Sequence, residues 1–271
     1  MGHLEVCIDS LESAINAIHG GADELEICSS LSEGGLTPSP GLVKEILKLV
    51  NNVFHNELIY KTCSQCRCKS LSKGPKVNVM IRCRAGSDFC YTIEEMDTML
   101  SDIEYYKSLN VDRFVFGALT SILEIDEESC LKVIQTAHPI PVTFHRAFDI
   151  CKNPYDSIEK IINLGFNRLL TSGQQHSAGD VEAIKLLQGL VLGFGNKIEI
   201  MPGAGVNSDN VKVFLNIGCR IIHSSCKSLK QLTHIDNNLS MGMAPCENMY
   251  YTNENIVKKL KEVLHGVGFE S

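Results

Sequence analysis

The stretch Leu4–Cys28, LEVCIDSLESAINAIHGGADELEIC, decides the fold. Leu4, Val6 and Ile8 alternate with Glu5, Cys7 and Asp9, the period of a strand with one apolar face. LESAINAIHGG then switches to the i, i+3, i+4 spacing of an amphipathic helix and ends on glycine, a common helix stop. Alternation resumes in ELEICSS, where Leu25 and Ile27 interleave with Glu26, Cys28 and Ser30. The stretch is thus a strand, a helix and a second strand. Each strand carries a cysteine three positions after its leucine, Cys7 after Leu4 and Cys28 after Leu25.

The same alternation of short strand and longer helix continues along the chain. Strands are expected at about 3–9, 24–30, 77–82, 113–119, 142–147, 168–172, 198–202 and 220–224, with helix-period segments between them. Eight strand–helix units in about 250 residues predict a single-domain (β/α)8 TIM barrel, with a doubly wound open sheet as the other arrangement. Most units take about 27 residues, whereas the step from Leu25 to Val77 takes 52. The surplus is NNVFHNELIYKTCSQCRCKSLSKGP, Asn51–Pro75, an insertion between the second helix and third strand. Barrel topology puts such a segment on the N-terminal face, opposite the end where barrel sites are built.

Composition narrows the function classes. The chain has 25 basic and 32 acidic residues, a net charge of −7, and no basic run that would track a nucleic acid. No apolar run approaches the roughly 20 residues of a membrane span. The strand pattern starts at once, leaving no room for a signal peptide, so the 12 cysteines are expected as reduced thiols in the cytosol or nucleus.

If the apolar faces lie against the outer helices, the opposite faces point into the barrel. Those faces carry Glu5, Cys7, Asp9, Glu26, Cys28, Asn78, Met80, Arg82, His145, Arg168, Ser172 and His223. A barrel interior is ordinarily layered with Val, Ile and Leu. Buried charges need partners, so the plain reading of the deeper residues is a mutually neutralising ion network. Residues at the C-terminal strand ends, such as Arg82, His145 and Ser172, are expected to line a pocket.

The chain resembles the CutC copper-homeostasis family. The resemblance is carried by LEVCIDSLESAINAIHGGADELEIC at 4–28, SEGGLTPS at 32–39, MIRCRAGSDFCY at 80–91, FVFGALT at 114–120, VTFHRAFD at 142–149, LLTSG at 169–173 and IMPGAGV at 200–206. It implies a self-associating (β/α)8 barrel linked to copper handling, with Cu(I) at the strand-end cysteines, here Cys7 and Cys28. Three features depart from the family pattern. Asn51–Pro75 has no counterpart, Cys83 stands where MIRPRxG has proline, and HSSCKS at 223–228 lacks the usual Ser-Ala-Arg.

Neighbouring parallel strands lie about 4.8 Å apart, so thiols at equivalent positions come within reach of one soft cation, and thiolates favour Cu(I) over hard ions. The plain reading is two buried thiols filling space. Glu5 and Glu26 nearby oppose thiolate formation unless a metal displaces the proton. A second thiol cluster, Cys63, Cys66 and Cys68 with His55 as nearest further ligand, lies in the insertion. The thioethers and thiol of MGMAPC at 241–246 read as an ordinary loop.

An enzyme reading uses other residues. His145 is expected to serve as general acid or base with Asp149, Glu26 or Glu5 orienting it, and Arg82 or Arg84 to hold a small anionic or phosphorylated compound. Ser172, His223 and the glycines of MPGAGV, Gly203 and Gly205, complete an anion site after strands seven and eight. That chemistry suits an isomerase or lyase. A third reading is a scaffold whose insertion binds a partner or metal.

Overall fold

The computed structural model describes residues 2–51, 74–231 and 248–266. Eight parallel strands form the centre: β1 His3–Ile8, β2 Glu24–Ile27, β3 Lys76–Met80, β4 Arg113–Phe116, β5 Val142–Phe144, β6 Arg168–Thr171, β7 Glu199–Pro202 and β8 Ile221–Ser224. Around them lie α1 Leu11–Gly20, α2 Pro40–Asn51, α3 Ile93–Ser108, α4 Glu127–Ala137, α5 Pro154–Leu164, α6 Val181–Phe194, α7 Val211–Asn216 and α8 Glu254–Gly266. The ladder runs β7-β6-β5-β4-β3-β2-β1-β8, and β7 packs against β8, so the sheet curls into a near-closed barrel. The expected TIM barrel is therefore the observed fold.

Local chemistry accounts for the first unit. The Ser10 hydroxyl accepts from the Ser13 amide at the start of α1, and Gly21 ends the helix in the left-handed region at φ 89°. Apolar residues of alternate strand positions, including Leu4, Val6, Ile8, Leu25, Ile27, Val77, Val79, Phe114 and Phe116, form a continuous buried layer under the helices. Their neighbours point inward, as the alternation predicts.

Several strands are shorter than expected at their C-terminal ends, β2 stopping at Ile27 and β5 at Phe144. The next residues leave the ladder to build the barrel mouth. His145, for example, caps a 3-10 turn at Arg146–Ile150 by accepting the Ala147 amide at Nδ1. An antiparallel hairpin, β9 Lys227–Gln231 with β10 Asn248–Thr252, was not foreseen and separates β8 from α8.

The lower barrel holds the ion network. Arg168 grips Glu24 through both terminal nitrogens, at 2.7 and 3.1 Å, and reaches Glu199 through Nε at 2.6 Å. Asn78 Nδ2 donates to Glu5 at 2.5 Å and to Glu24 at 2.7 Å. Burial alone would raise the Glu24 pKa, but the bonds and charge of Arg168, helped by Asn78 and Arg113, hold it down at about 2. Beneath the network is a cavity of about 440 Å³, lined in part by Gly74 and Pro75, the last residues of the insertion. The Cys63, Cys66, Cys68 and His55 cluster and the MGMAPC loop lie outside the described residues. Among the described residues, no helix is long and apolar enough to cross a membrane.

Candidate functional site

Strand register, rather than simple equivalence of position, assembles the upper barrel. Cys7 lies opposite Glu26 across β1 and β2, and Glu5 lies opposite His223 across β1 and β8. One ligand atom each from Cys7, Glu26 and His223 falls within 4.8 Å of the others, and all three residues are buried. Cys28 follows Ile27 past the end of β2, and its thiol donates to Glu26 Oε2 at 3.5 Å. Cys7 and Cys28 thus share a neighbour, the Glu26 carboxylate.

His223 is held from two sides. Its Nδ1 lies 2.8 Å from Glu5 Oε1 and its Nε2 lies 3.8 Å from Glu26 Oε2. Burial disfavours a charge there, yet Cys7, Glu26 and Glu5 keep its pKa well above the ordinary imidazole value. Glu26 is raised as well, which for a carboxylate favours the neutral form. Burial lifts it to about 7, His223 opposing and Glu5 reinforcing. The Cys28 thiol is also pushed well up, first by burial and then by Glu26 and Cys7. One oxygen, Glu26 Oε1, is buried with no hydrogen-bond partner. Such an orphan acceptor is costly unless something else fills the site.

A loop covers this group. Gly34 and Gly35 take φ values of 86° and 89°, and a Cβ on Gly35 would stand 3.1 Å from Cys28 Sγ. Arg82 fastens the loop, donating through Nη1 to the Glu33 carbonyl at 2.8 Å and the Gly35 carbonyl at 3.1 Å. Its Nη2 donates to the Gly86 carbonyl at 2.5 Å. Both terminal nitrogens of Arg82, expected to hold an anionic compound, are therefore already engaged with backbone.

The remaining expected residues divide. His145 stands near Arg82, both packing on Phe89: the His145 ring centroid is 5.0 Å, and Arg82 Cζ 5.2 Å, from that of Phe89. Burial, with Arg82 adding to it, lowers the His145 pKa to about 3. Asp149 turns toward β6 instead, accepting from the Thr171 hydroxyl at 2.5 Å and from the Ser172 amide and hydroxyl at 3.0 and 2.8 Å. Arg84 is tied at the rim by Asp88 and Glu95. Gly203 is tightly enclosed, since a Cβ there would meet Leu170 Cδ1 at 2.6 Å and His223 Cβ at 3.4 Å. Gly205 adopts φ 75°, and its Cβ would strike Ser177 Oγ at 2.6 Å. Helix α7, which follows this loop, has only six residues. Sequence reasoning did not single out Tyr91, whose buried hydroxyl has no partner; its position in a loop left no periodic signal to orient it.

The sequence model of the CutC family matches residues 2–228. A Caenorhabditis elegans protein named copper homeostasis protein cutC homolog is 40% identical over 263 residues, spanning 96% of this chain and 94% of its own. A human protein of the same name is 38% identical over 241 residues, spanning 89% of this chain and 79% of its own. A crystal structure from Streptococcus agalactiae, described as a CutC copper homeostasis protein, superposes with a TM-score of 0.71 at 31% identity, covering 83% of this chain and 99% of that one. The chain belongs to the CutC family.

Proposed function

We propose that this protein takes part in copper homeostasis by holding Cu(I) as cargo among Cys7, Cys28 and His223. The observation that carries the reading is the buried Cys7–Glu26–His223 group with Cys28 on the same carboxylate. Two thiols and an imidazole are soft to borderline donors suited to Cu(I). The unpartnered Glu26 Oε1 fits a site awaiting a cation. Metal binding needs thiolate sulfur and an unprotonated ring nitrogen, so it would release protons from the group. Glu5, on the far ring nitrogen of His223, would orient the imidazole as carboxylates do behind metal-bound histidines.

The eight described cysteines are free thiols, which supports residence in a reducing compartment such as the cytosol. Val181 and Leu192, three turns apart on α6, are 68% and 80% exposed, which supports self-association through that face. The test is anaerobic competition against a Cu(I) chelator. Wild type should retain copper where Cys7→Ser/Cys28→Ser yields it; equal retention by both would remove the basis of the reading.

A further inference from the structure

Beside the proposed copper group, the barrel mouth contains hydrogen-bond donors with nothing to receive them. Arg82 is 4% exposed, its terminal nitrogens donate to three backbone carbonyls, and its Nε is buried without a partner. No carboxylate among the described residues pairs with it, so its charge is buried uncompensated. A buried cation is ordinarily balanced by an anion, because leaving it alone is costly.

His145 adds a second donor. Its Nδ1 accepts the Ala147 amide at 3.2 Å, so the neutral ring carries its proton on Nε2, which is buried without a partner. Burial and the Arg82 charge keep the ring neutral, so that assignment holds across the physiological range. Tyr91 offers a third polar atom, its hydroxyl, also buried and unpartnered. Two rings link the three side chains: Phe89 lies 5.2 Å from Arg82 Cζ and 5.0 Å from the His145 ring, and Phe116 lies 6.1 Å from Tyr91 and 6.5 Å from His145 between centroids. The charge of Arg82 also acts on both His145 and Tyr91.

We infer that Arg82 Nε, His145 Nε2 and the Tyr91 hydroxyl form a binding site for a small oxyanion, a carboxylate or a phosphate, separate from the copper ligands. The site supplies donors and one positive charge, with Phe89 as an apolar wall against Arg82 and His145. An anionic oxygen would satisfy the orphan donors and neutralise Arg82 together. Arg84 takes no part, since Asp88 and Glu95 already saturate it. The inference is independent of the copper reading and stands or falls on different residues.

The experiment uses full-length, metal-free protein labelled with 15N at histidine. Inorganic phosphate and acetate are titrated in separate arms against sodium chloride of equal ionic strength. A saturable shift of the His145 Nε2 signal with either anion is expected, and the arm that gives it names the class. Affinity should fall roughly tenfold or more in His145→Asn, which keeps an acceptor for the Ala147 amide but lacks the Nε2 donor. Tyr91→Phe, which removes only the hydroxyl, should weaken binding by a smaller factor and serves if His145→Asn does not fold. No saturable response in either arm would mean that a buried water alone meets these donors and would overturn the inference. Equal affinity in wild type and both variants would overturn it as well. Repeating the titration in Cys7→Ser/Cys28→Ser separates the two sites, because the anion response should persist there.

Discussion

Cys7 sits directly across the β1–β2 ladder from Glu26, while Glu5, two residues back on the same strand, sits across from His223. One strand therefore delivers both the thiol at the proposed copper group and the carboxylate behind its histidine. This relation predicts that Glu5→Gln weakens Cu(I) binding by roughly tenfold to a hundredfold without removing a ligand. Chelator competition on the folded variant checks it, and His223 ring resonances should report a changed tautomer or charge.

The ion network below predicts a stability effect with no direct effect on copper. Arg168→Met leaves Glu24, Glu5 and Glu199 without their shared cation. The loss should be about 3–5 kcal/mol, because a broken buried pair strands charge. Urea denaturation at neutral pH measures it.

Acid should unfold the protein in a way His145 controls. Its pKa lies at about 3 in the fold against an ordinary 6.5. Between those values the unfolded chain binds the proton and the native ring does not, so stability falls as pH drops through that window. Glu24, at about 2 against 4.5, acts with the same sign at lower pH. Glu26, raised to about 7, acts oppositely between 4.5 and 7, but equally in wild type and in a His145 variant. Lowering the pH from 7 to 5 should therefore cost wild type about 2 kcal/mol more than His145→Asn. Denaturant midpoints at the two pH values give the comparison.

Gly203→Ala tests the closure of the barrel. The new methyl would press on Leu170 and on His223, so stability should fall by about 1–3 kcal/mol. Copper retention should weaken too, since the displaced residue is one of the proposed ligands. Thermal unfolding and chelator competition on the same preparation separate the two effects.

Much of this was legible in the sequence, for identifiable reasons. Alternation in LEVCID and ELEIC is strong enough to assign both faces, so Glu5, Cys7, Glu26 and Cys28 could be placed inside the barrel from residues alone. The partners across the interior were not legible. Strand stagger sets Cys7 against Glu26, and alternation carries no record of stagger. His223 was expected among anion-binding residues because of its strand end, but the β1–β8 register delivers it to Glu5 and Glu26. Asp149 was expected as one of the carboxylates orienting His145; the 3-10 turn that contains it points its carboxylate at Thr171 and Ser172. The β9–β10 hairpin went unseen because Lys227–Gln231 and Asn248–Thr252 are short, and β9 is largely exposed, so neither strand shows a buried apolar face.

Copper K-edge X-ray absorption on the Cu(I)-loaded protein tests the central claim most directly. Sulfur ligation accompanied by an imidazole contribution is predicted for wild type. The sulfur signal should vanish in Cys7→Ser/Cys28→Ser and the imidazole signal in His223→Ala. Copper ligation by sulfur that survives unchanged in Cys7→Ser/Cys28→Ser would contradict the account, because the metal would then sit elsewhere in the chain.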